Sequence, residues 1–283
     1  ILEDLIFSDP SSPSQWDDAV KRDRENDPGG KRPCLVHDNL SQYVSNVAGN
    51  VEQQPPSLHA IPVGGGADKR AAEQLDGFFR HIEYSSRASQ HYTRALTSAA
   101  RAGVGYLIVR PQYIDRGLNY QEPRISSEGD PLKVVLDPWS VELDGSDANF
   151  GYLLTPLSHR EFDRRWPGKD KVSFNDLECS TVSDSRESIY VAEGWIAEDR
   201  KSNMILSAGA DGDQAWYSED DYHAASQRAG MALPVLDQKQ TTERIVWWRT
   251  MSGVEVLEQC KDADGKPAPY PASGIGIVPV YGY

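Results

Sequence analysis

The sequence predicts an α+β protein in which a helical layer, about residues 38–102, packs on mostly antiparallel or mixed β-strands. Two observations lead to this prediction. Within the three predicted helices of residues 38–102 the apolar residues recur every three or four positions, which is the helical period. Beyond residue 104, short runs rich in β-branched and aromatic residues are separated by turn residues, which is typical of strands.

Three helices account for the helical layer. The first ends at Pro55-Pro56, the second begins after the N-cap candidate Asp68, and the third ends at Gly103, which suits a C-terminal cap. Between the first two, Leu58–Val63 is predicted as a short strand and Gly64-Gly65-Gly66 as a turn. The three apolar faces are Leu40, Tyr43, Val44, Val47 and Val51; Ala71, Ala72, Leu75, Phe78, Phe79 and Ile82; and Tyr92, Ala95, Leu96, Ala99 and Ala100.

The rest of the chain is predicted mainly as strands, joined by turns and two short helices. One helix begins after Ser158 and buries Phe162 and Trp166, and the other covers 220–232. A polar segment at about 168–187 has no period and is predicted as a long loop, and Met251-Ser252-Gly253 as a hairpin turn. The predicted strands are Gly105–Tyr113, Asn119–Ser126, Leu132–Leu136, Ser188–Glu198, Asn203–Ser207, Glu243–Met251, Val254–Lys261 and Ile275–Tyr281.

Residues 1–37 are predicted as a separate N-terminal arm, extended apart from one short charged helix, and residues 38–283 as the α+β body. The arm is rich in Asp, Pro and Gly, which disfavours a packed core. Its helix, 15–27, begins after Ser14 and ends at Pro28-Gly29-Gly30.

Composition excludes several classes of protein. The 283 residues carry 29 Lys and Arg against 43 Asp and Glu, a formal charge of −14, whereas domains that read DNA sequence have a basic face. No apolar run approaches the ~18 residues that cross a membrane, and Ile1–Phe7 is acidic where a signal peptide is basic. Cys34, Cys179 and Cys260 form no disulfide framework, which favours a reducing cytosol. Because the first residue is Ile, we expect a piece of a longer chain.

No signature of catalysis is present, so we predict no catalytic, cofactor-binding or metal-ligating residues, and no cofactor. The phosphate-binding glycine motifs and the nucleophile elbow are absent, and Gly64-Gly65-Gly66 is not followed by the Lys-Ser/Thr pair of a phosphate loop. The histidines have neither HExxH nor HxH spacing, although distant ones can still meet in a fold. These are His37, His59, His81, His91, His159 and His223.

Two further patterns are candidates for binding sites. Asp144-Gly145-Ser146-Asp147 and Asp211-Gly212-Asp213 place carboxylates on turns, but neither has the spacing of a twelve-residue calcium loop, and turn formation explains both. Trp247-Trp248 lies inside a strand, so its two rings point to opposite faces. We expect one ring in the core and the other against a neighbouring element or subunit, with a carbohydrate platform as the alternative.

An ordered series of short motifs resembles the portal proteins of short-tailed bacteriophages and related prophages. No motif is specific by itself; their collinear order over nearly the whole chain carries the resemblance. The first are Gln15-Trp16, Lys31-Arg32-Pro33-Cys34-Leu35, Asn39-Leu40-Ser41-Gln42-Tyr43-Val44 and Gln53-Gln54-Pro55-Pro56. The middle ones are Ala71-Ala72-Glu73-Gln74-Leu75, Phe78-Phe79, Ala100–Gly105, Leu136-Asp137-Pro138 and Asp144–Ala148. The last are Val191-Ala192-Glu193-Gly194-Trp195 and Val278-Pro279-Val280-Tyr281-Gly282. The polar segments 168–187 and 208–240 match little.

The resemblance implies a structural subunit of a ring, expected to be a homododecamer, at one capsid vertex. Such a ring is the conduit for genome packaging and ejection. Its expected partners are other copies of itself, terminase, capsid or scaffolding protein, tail adaptor proteins, and double-stranded DNA that passes without sequence-specific binding. No membrane is implied. The chain then corresponds to the wing, while the stem, clip and crown are expected beyond it. A net negative surface suits a conduit, because it keeps the duplex mobile.

Two other classes stay open on the residues alone. A metal-assisted hydrolase can be assembled from scattered His and Asp, and a carbohydrate- or protein-binding module can use Trp247 or Trp248. Assembly separates them, because a portal forms rings with a central hole, whereas a hydrolase is expected to be a monomer with stoichiometric zinc.

Overall fold

A computed structural model describes residues 1–8, 16–35, 40–63, 69–114, 120–173, 188–208, 214–262 and 265–282. Within them the protein is α+β, as predicted. The helices are α1 Leu2–Ser8, α2 Asp18–Glu25, α3 Leu40–Gln53, α4 Lys69–Ser86, α5 Ala88–Ala102, α6 His159–Arg165 and α7 Glu219–Ala229. The strands are β1 Val104–Tyr113, β2 Gln121–Glu128, β3 Val134–Leu136, β4 Phe150–Ser158, β5 Ser188–Ala208, β6 Gln214–Ser218, β7 Val235–Met251, β8 Val256–Gln259 and β9 Ile277–Tyr281.

The strands form two antiparallel sheets. The small sheet has the order β2-β1-β9, and the large sheet has the order β3-β4-β5-β7-β8, with β6 pairing to the far end of β5. A 3-10 turn at Pro131–Lys133 leads from the small sheet into the large one. Every strand pair among the described residues is antiparallel, so neither sheet requires a crossover helix between paired strands.

The small sheet lies between α5 and the large sheet. On one side the backbone of β1 contacts α5 so closely that a Cβ at Gly105 would lie 2.0 Å from the carbonyl oxygen of Ala95. The buried face of α5 therefore consists of small residues, which let the helix approach the sheet. On the other side the two sheets enclose the main core, which contains Val104, Tyr106, Ile108, Val134, Ala148, Leu153, Trp195, Val246, Ile275 and Ile277.

A second core lies at the other end of the large sheet, beneath α6. Ser158 caps this helix as predicted, with its hydroxyl accepting a hydrogen bond from the backbone N–H of Glu161 at 3.2 Å. Phe162 and Trp166 pack edge to face, with ring centroids 5.2 Å apart, over the buried residues Ile189 and Val191 of β5. The prediction of this helix and its inward face is confirmed.

The faces of the first two predicted helices are less buried than their periodicity indicated. On α3 only Val44 is buried, and on α4 only Ile82, whereas Leu75 and Phe78 are exposed and Phe79 is half-buried. Periodicity identifies an apolar face but cannot tell whether the same chain covers it. In the arm, α2 begins after Asp17 rather than Ser14, because the Asp17 carboxylate accepts from the N–H of Ala19 at 2.7 Å.

Several strand predictions were wrong. No strand forms at 58–63, β4 and β6 were not predicted, and the two strands predicted at 188–198 and 203–207 are one strand of 21 residues. The polar residues between the two predicted strands, Asp199–Ser202, are paired to β7, and β7 itself starts eight residues before the predicted position. Pairing to β7 satisfies the backbone N–H and C=O groups of these residues without burying their side chains. A pattern of apolar residues therefore gives no sign of this part of the strand. Asp68, Gly64-Gly65-Gly66 and 174–187 lie outside the described residues.

Candidate functional site

A polar interruption divides the inner face of the large sheet. Side chains alternate along β5, so Ile189, Val191, Glu193 and Trp195 share one face. Thr155 and Thr250 lie beside them on neighbouring strands, because β4 and β7 flank β5 in register. The result is a polar strip between the main core and the core under α6.

An ion pair from the small sheet occupies this strip. Nη1 of Arg110, on β1, lies 2.6 Å from Oε2 of Glu193, and the indole N–H of Trp248 donates to Oε1 of the same carboxylate at 2.9 Å. A parallel contact joins α6 to β8, where the indole of Trp166 donates to Glu258 at 2.7 Å. Both glutamates are thus held by tryptophans, and Glu193 also by an arginine. These contacts connect the two sheets and α6.

The strip opens to solvent as a cleft with two lobes. Their volumes are about 1000 and 570 Å³, and both lobes are lined by Arg110, Glu193, Trp248 and Glu258. In the larger lobe, burial raises the pKa of Tyr270 to about 12 and raises the pKa of the Cys260 thiol, so neither group ionises readily near neutrality. Both oxygens of Glu193 already have partners. The described side chains therefore fit a structural joint better than a nucleophile with a base.

Three of the histidines considered as metal ligands contact different neighbours in the structure. His59 contacts Ser57 and Asp76, whereas His81 contacts Glu122 at 3.2 Å. His91 contacts Ser127 at 3.0 Å, and burial together with Arg94 lowers its pKa. His159 and His223 lie on α6 and α7, and His37 lies outside the described residues. Over the described ranges, no three His, Cys, Asp or Glu side chains gather as a metal site would need.

The acidic segment 144–147 is explained by turn formation. The Asp147 carboxylate accepts from the Ser140 hydroxyl at 2.5 Å and from the N–H of Val141 at 2.7 Å, and these bonds hold its pKa below the usual value. Asp144 accepts from the N–H of Ser146 at 3.0 Å. Both carboxylates therefore hold the turn together by hydrogen bonds to nearby N–H and hydroxyl groups. Asp211-Gly212-Asp213 lies outside the described residues.

The paired tryptophans do point to opposite faces, as predicted. Trp248 packs against the main core, while Trp247 donates to Glu198 at 3.1 Å on the outer face. Both are half-buried, and the fully buried ring is Trp195, which is the cross-strand partner of Trp248. A carbohydrate platform would need an exposed ring face, which this arrangement does not favour.

The charged N-terminal segment folds on itself. The Arg24 guanidinium lies 4.5 Å above the Trp16 ring and donates to the carbonyl of Pro33 at 3.0 Å, while Arg32 pairs with Asp27.

Arg110 and Glu193 of the cleft are not among the site residues considered from the sequence. A charged residue at an inward position, between Val191 and Trp195, is the signal that could have found the cleft.

The described residues thus define the class of protein as α+β, with two antiparallel sheets joined by a polar cleft and with large apolar residues left on the surface. Along the described parts of the chain, no helix is long and apolar enough to span a membrane. The model of the phage P22-like portal protein family matches residues 1–283, so this chain belongs to that family. No curated protein matches the chain significantly.

Proposed function

We propose that the protein is a structural subunit of a homododecameric portal ring at the unique vertex of a phage capsid. The family match over residues 1–283 carries this proposal. The ring would be the conduit for genome packaging and ejection and the docking platform for terminase and tail adaptor proteins, in contact with capsid or scaffolding protein. It would assemble in the host cytoplasm and remain in the virion. Residues 1–37 would be an arm, and 38–283 the wing.

The charge of the chain supports a passive conduit. Twelve copies would carry a formal charge of −168, twelve times −14. Like charge opposes condensation onto DNA, and few phosphates can be neutralised by such a surface. We therefore expect a gel-shift titration at ~0.15 M salt, where the Debye length is ~8 Å, to show no tight duplex binding. Tight binding with a steep salt dependence would overturn the passive conduit and indicate a DNA-gripping role.

Electron microscopy of the full-length protein tests the assembly. Negative-stain images should show rings with a central hole and twelve-fold symmetry. A monomer that co-purifies with stoichiometric zinc would contradict the proposal and favour the metal-assisted hydrolase. We also propose that the chain is not an enzyme, so a terminase-free sample should show no ATPase activity that depends on a residue of this chain.

A further inference from the structure

A rigid loop between β3 and β4 is braced by two carboxylates. Asp137, nearly fully buried, accepts from the N–H groups of Trp139 and Asn149 at 3.0 and 2.9 Å, and Asp147 accepts from Ser140 and Val141. Bonds of this kind to a carboxylate are strong, so the loop has a defined shape. It is therefore a preformed surface and does not have to be ordered by a partner.

This loop presents three large apolar side chains to solvent. Trp139 is 84%, Val141 85% and Leu143 64% exposed. Glu142 and Asp144 lie between and beside them, both exposed, and residues 134–159 contain no Lys or Arg. We call Trp139, Val141 and Leu143 the knob. An exposed apolar patch rimmed by polar residues marks an interaction surface, and tryptophan is enriched among interface hot spots.

A surface with complementary chemistry lies on α4 and the turn after it. Arg80 and Tyr84 are one turn apart on the helix, and Arg87 follows at the start of α5. Tyr84 is 87% exposed and Arg87 is exposed as well, while Arg80 pairs with Asp76 at 2.8 Å and keeps 66% of its side chain exposed. Residues 69–102 carry six Lys and Arg against three Asp and Glu, although the whole chain is strongly acidic. We call Arg80, Tyr84 and Arg87 the stripe.

The knob and the stripe lie at opposite edges of the small sheet. The knob loop adjoins β9, because a Cβ at Gly145 would lie 3.0 Å from Pro279. Helix α4 packs on β2, where the Ser86 hydroxyl accepts from the N–H of Ile125 and His81 contacts Glu122. Because β9 and β2 are the two outer strands of that sheet, the two surfaces face different neighbours. Contacts between two different surfaces are heterologous, and heterologous contacts form a ring when the rotation from one copy to the next closes.

We propose that the knob of one copy docks on the stripe of the next copy. Trp139 would lie against the arginine side chains and Tyr84, where a guanidinium over an indole is favourable, and Glu142 would face Arg87. The opposite charges of the two surfaces select this partner, and a second copy supplies both in every subunit. The inference rests on the proposed ring, since a monomeric protein has no use for such a pair.

Three variants of the full-length protein test the contact by mass photometry over a concentration series. Trp139→Ser and Val141→Ser should each raise the apparent dissociation constant of the oligomer by at least about tenfold. Val254→Ser is the matched control, because Val254 is 67% exposed on the turn after β7 and belongs to neither surface. Circular dichroism should be the same for all three variants. Equal effects of Val141→Ser and Val254→Ser would overturn the proposal.

A charge exchange tests the pairing itself. Glu142→Arg and Arg87→Glu should each weaken assembly, and the double variant should restore it. A benzoylphenylalanine photo-cross-linker at position 139 should react with residues 80–87 of another copy. If rings form but the double variant is not restored, or the cross-link lies elsewhere or on another protein, the inference fails while the proposed function stands. If the wild-type protein forms no rings, the proposed function fails first.

Discussion

The ribbon formed by β5 and β7 has two halves that differ in packing but not in backbone pairing. In the half that packs on the main core, which we call the inner half, Val191, Ala192, Trp195 and Val246 are buried. In the other half, which we call the outer half, Glu198–Lys201 and Val235–Gln240 are exposed. Yet cross-strand pairs run from Ala192↔Met251 to Ser207↔Val235, with one irregularity at Leu206/Ser207.

The outer half ends in a small packed unit of its own. Here β6 pairs to β5, Ile205, Ser207 and Leu233 are buried, and the Tyr222 hydroxyl of α7 donates to the carbonyl of Leu233 at 2.7 Å. The exposed stretch between the two packed regions is held by the strand hydrogen bonds and by a few side-chain contacts, such as that of Trp247 with Glu198 at 3.1 Å. A single strand pair can therefore join two regions of different stability, because stability follows local packing rather than ladder continuity.

The largest loss of stability is expected for Trp195→Ala in the inner half of the ribbon. The side chain is fully buried in the main core, and its removal leaves a large cavity, so we expect a loss of ~3–5 kcal/mol in the free energy of unfolding. Equilibrium denaturation measures this loss. A change below ~1 kcal/mol would show that the two halves do not differ as described.

The next effect is expected for Glu193→Ala, at the joint between the two sheets. The variant leaves Arg110 and the Trp248 indole without their acceptor, which we expect to cost ~1–3 kcal/mol. The loss is smaller than for a fully buried pair, because a third of the Arg110 side chain is exposed. Glu193→Gln keeps an acceptor and should recover part of the loss in the same denaturation experiment.

Ile205→Ala should act mainly in the outer half. Ile205 belongs to the small packed unit, so its truncation should speed amide hydrogen exchange in Gln214–Ser218 and in the ladder between Met204 and Lys239. Exchange around Trp195 should stay unchanged. If protection from amide hydrogen exchange is lost equally in both halves, the ribbon unfolds as one unit and the two halves do not differ in stability.

The smallest change in stability is expected for Lys239→Met in the outer half of the ribbon. The ammonium group lies 4.4 Å from the centroid of the Trp216 ring, and an exposed cation–π contact contributes ~0.5–1 kcal/mol. The variant should therefore speed exchange in the outer half by a few-fold at most. Lys201→Met, at an exposed position inside the ribbon, is the control and should have no effect on exchange.

Sequence pattern predicted those features whose cause is local. The sequence predicted four such features, because caps and periodic faces are properties of neighbouring residues. They are the three long helices, the Ser158 cap, the inward Phe162 and the helix end at Gly103, which has a positive φ. The motifs that resemble portal proteins were also readable in order, and the family match bears them out. The candidate cleft was not predicted, since Arg110 and Glu193 are 83 residues apart.

What the sequence by itself determined was therefore the class of fold, the positions of most elements and the acidic charge. Only the tertiary structure decided which apolar faces are covered. It left Trp139 exposed in the loop between β3 and β4 and buried Trp195 on β5. It also extended β5 through polar residues, because a partner strand satisfies the backbone there. Burial and pairing depend on what lies opposite a residue in space, and distant parts of the chain supply that.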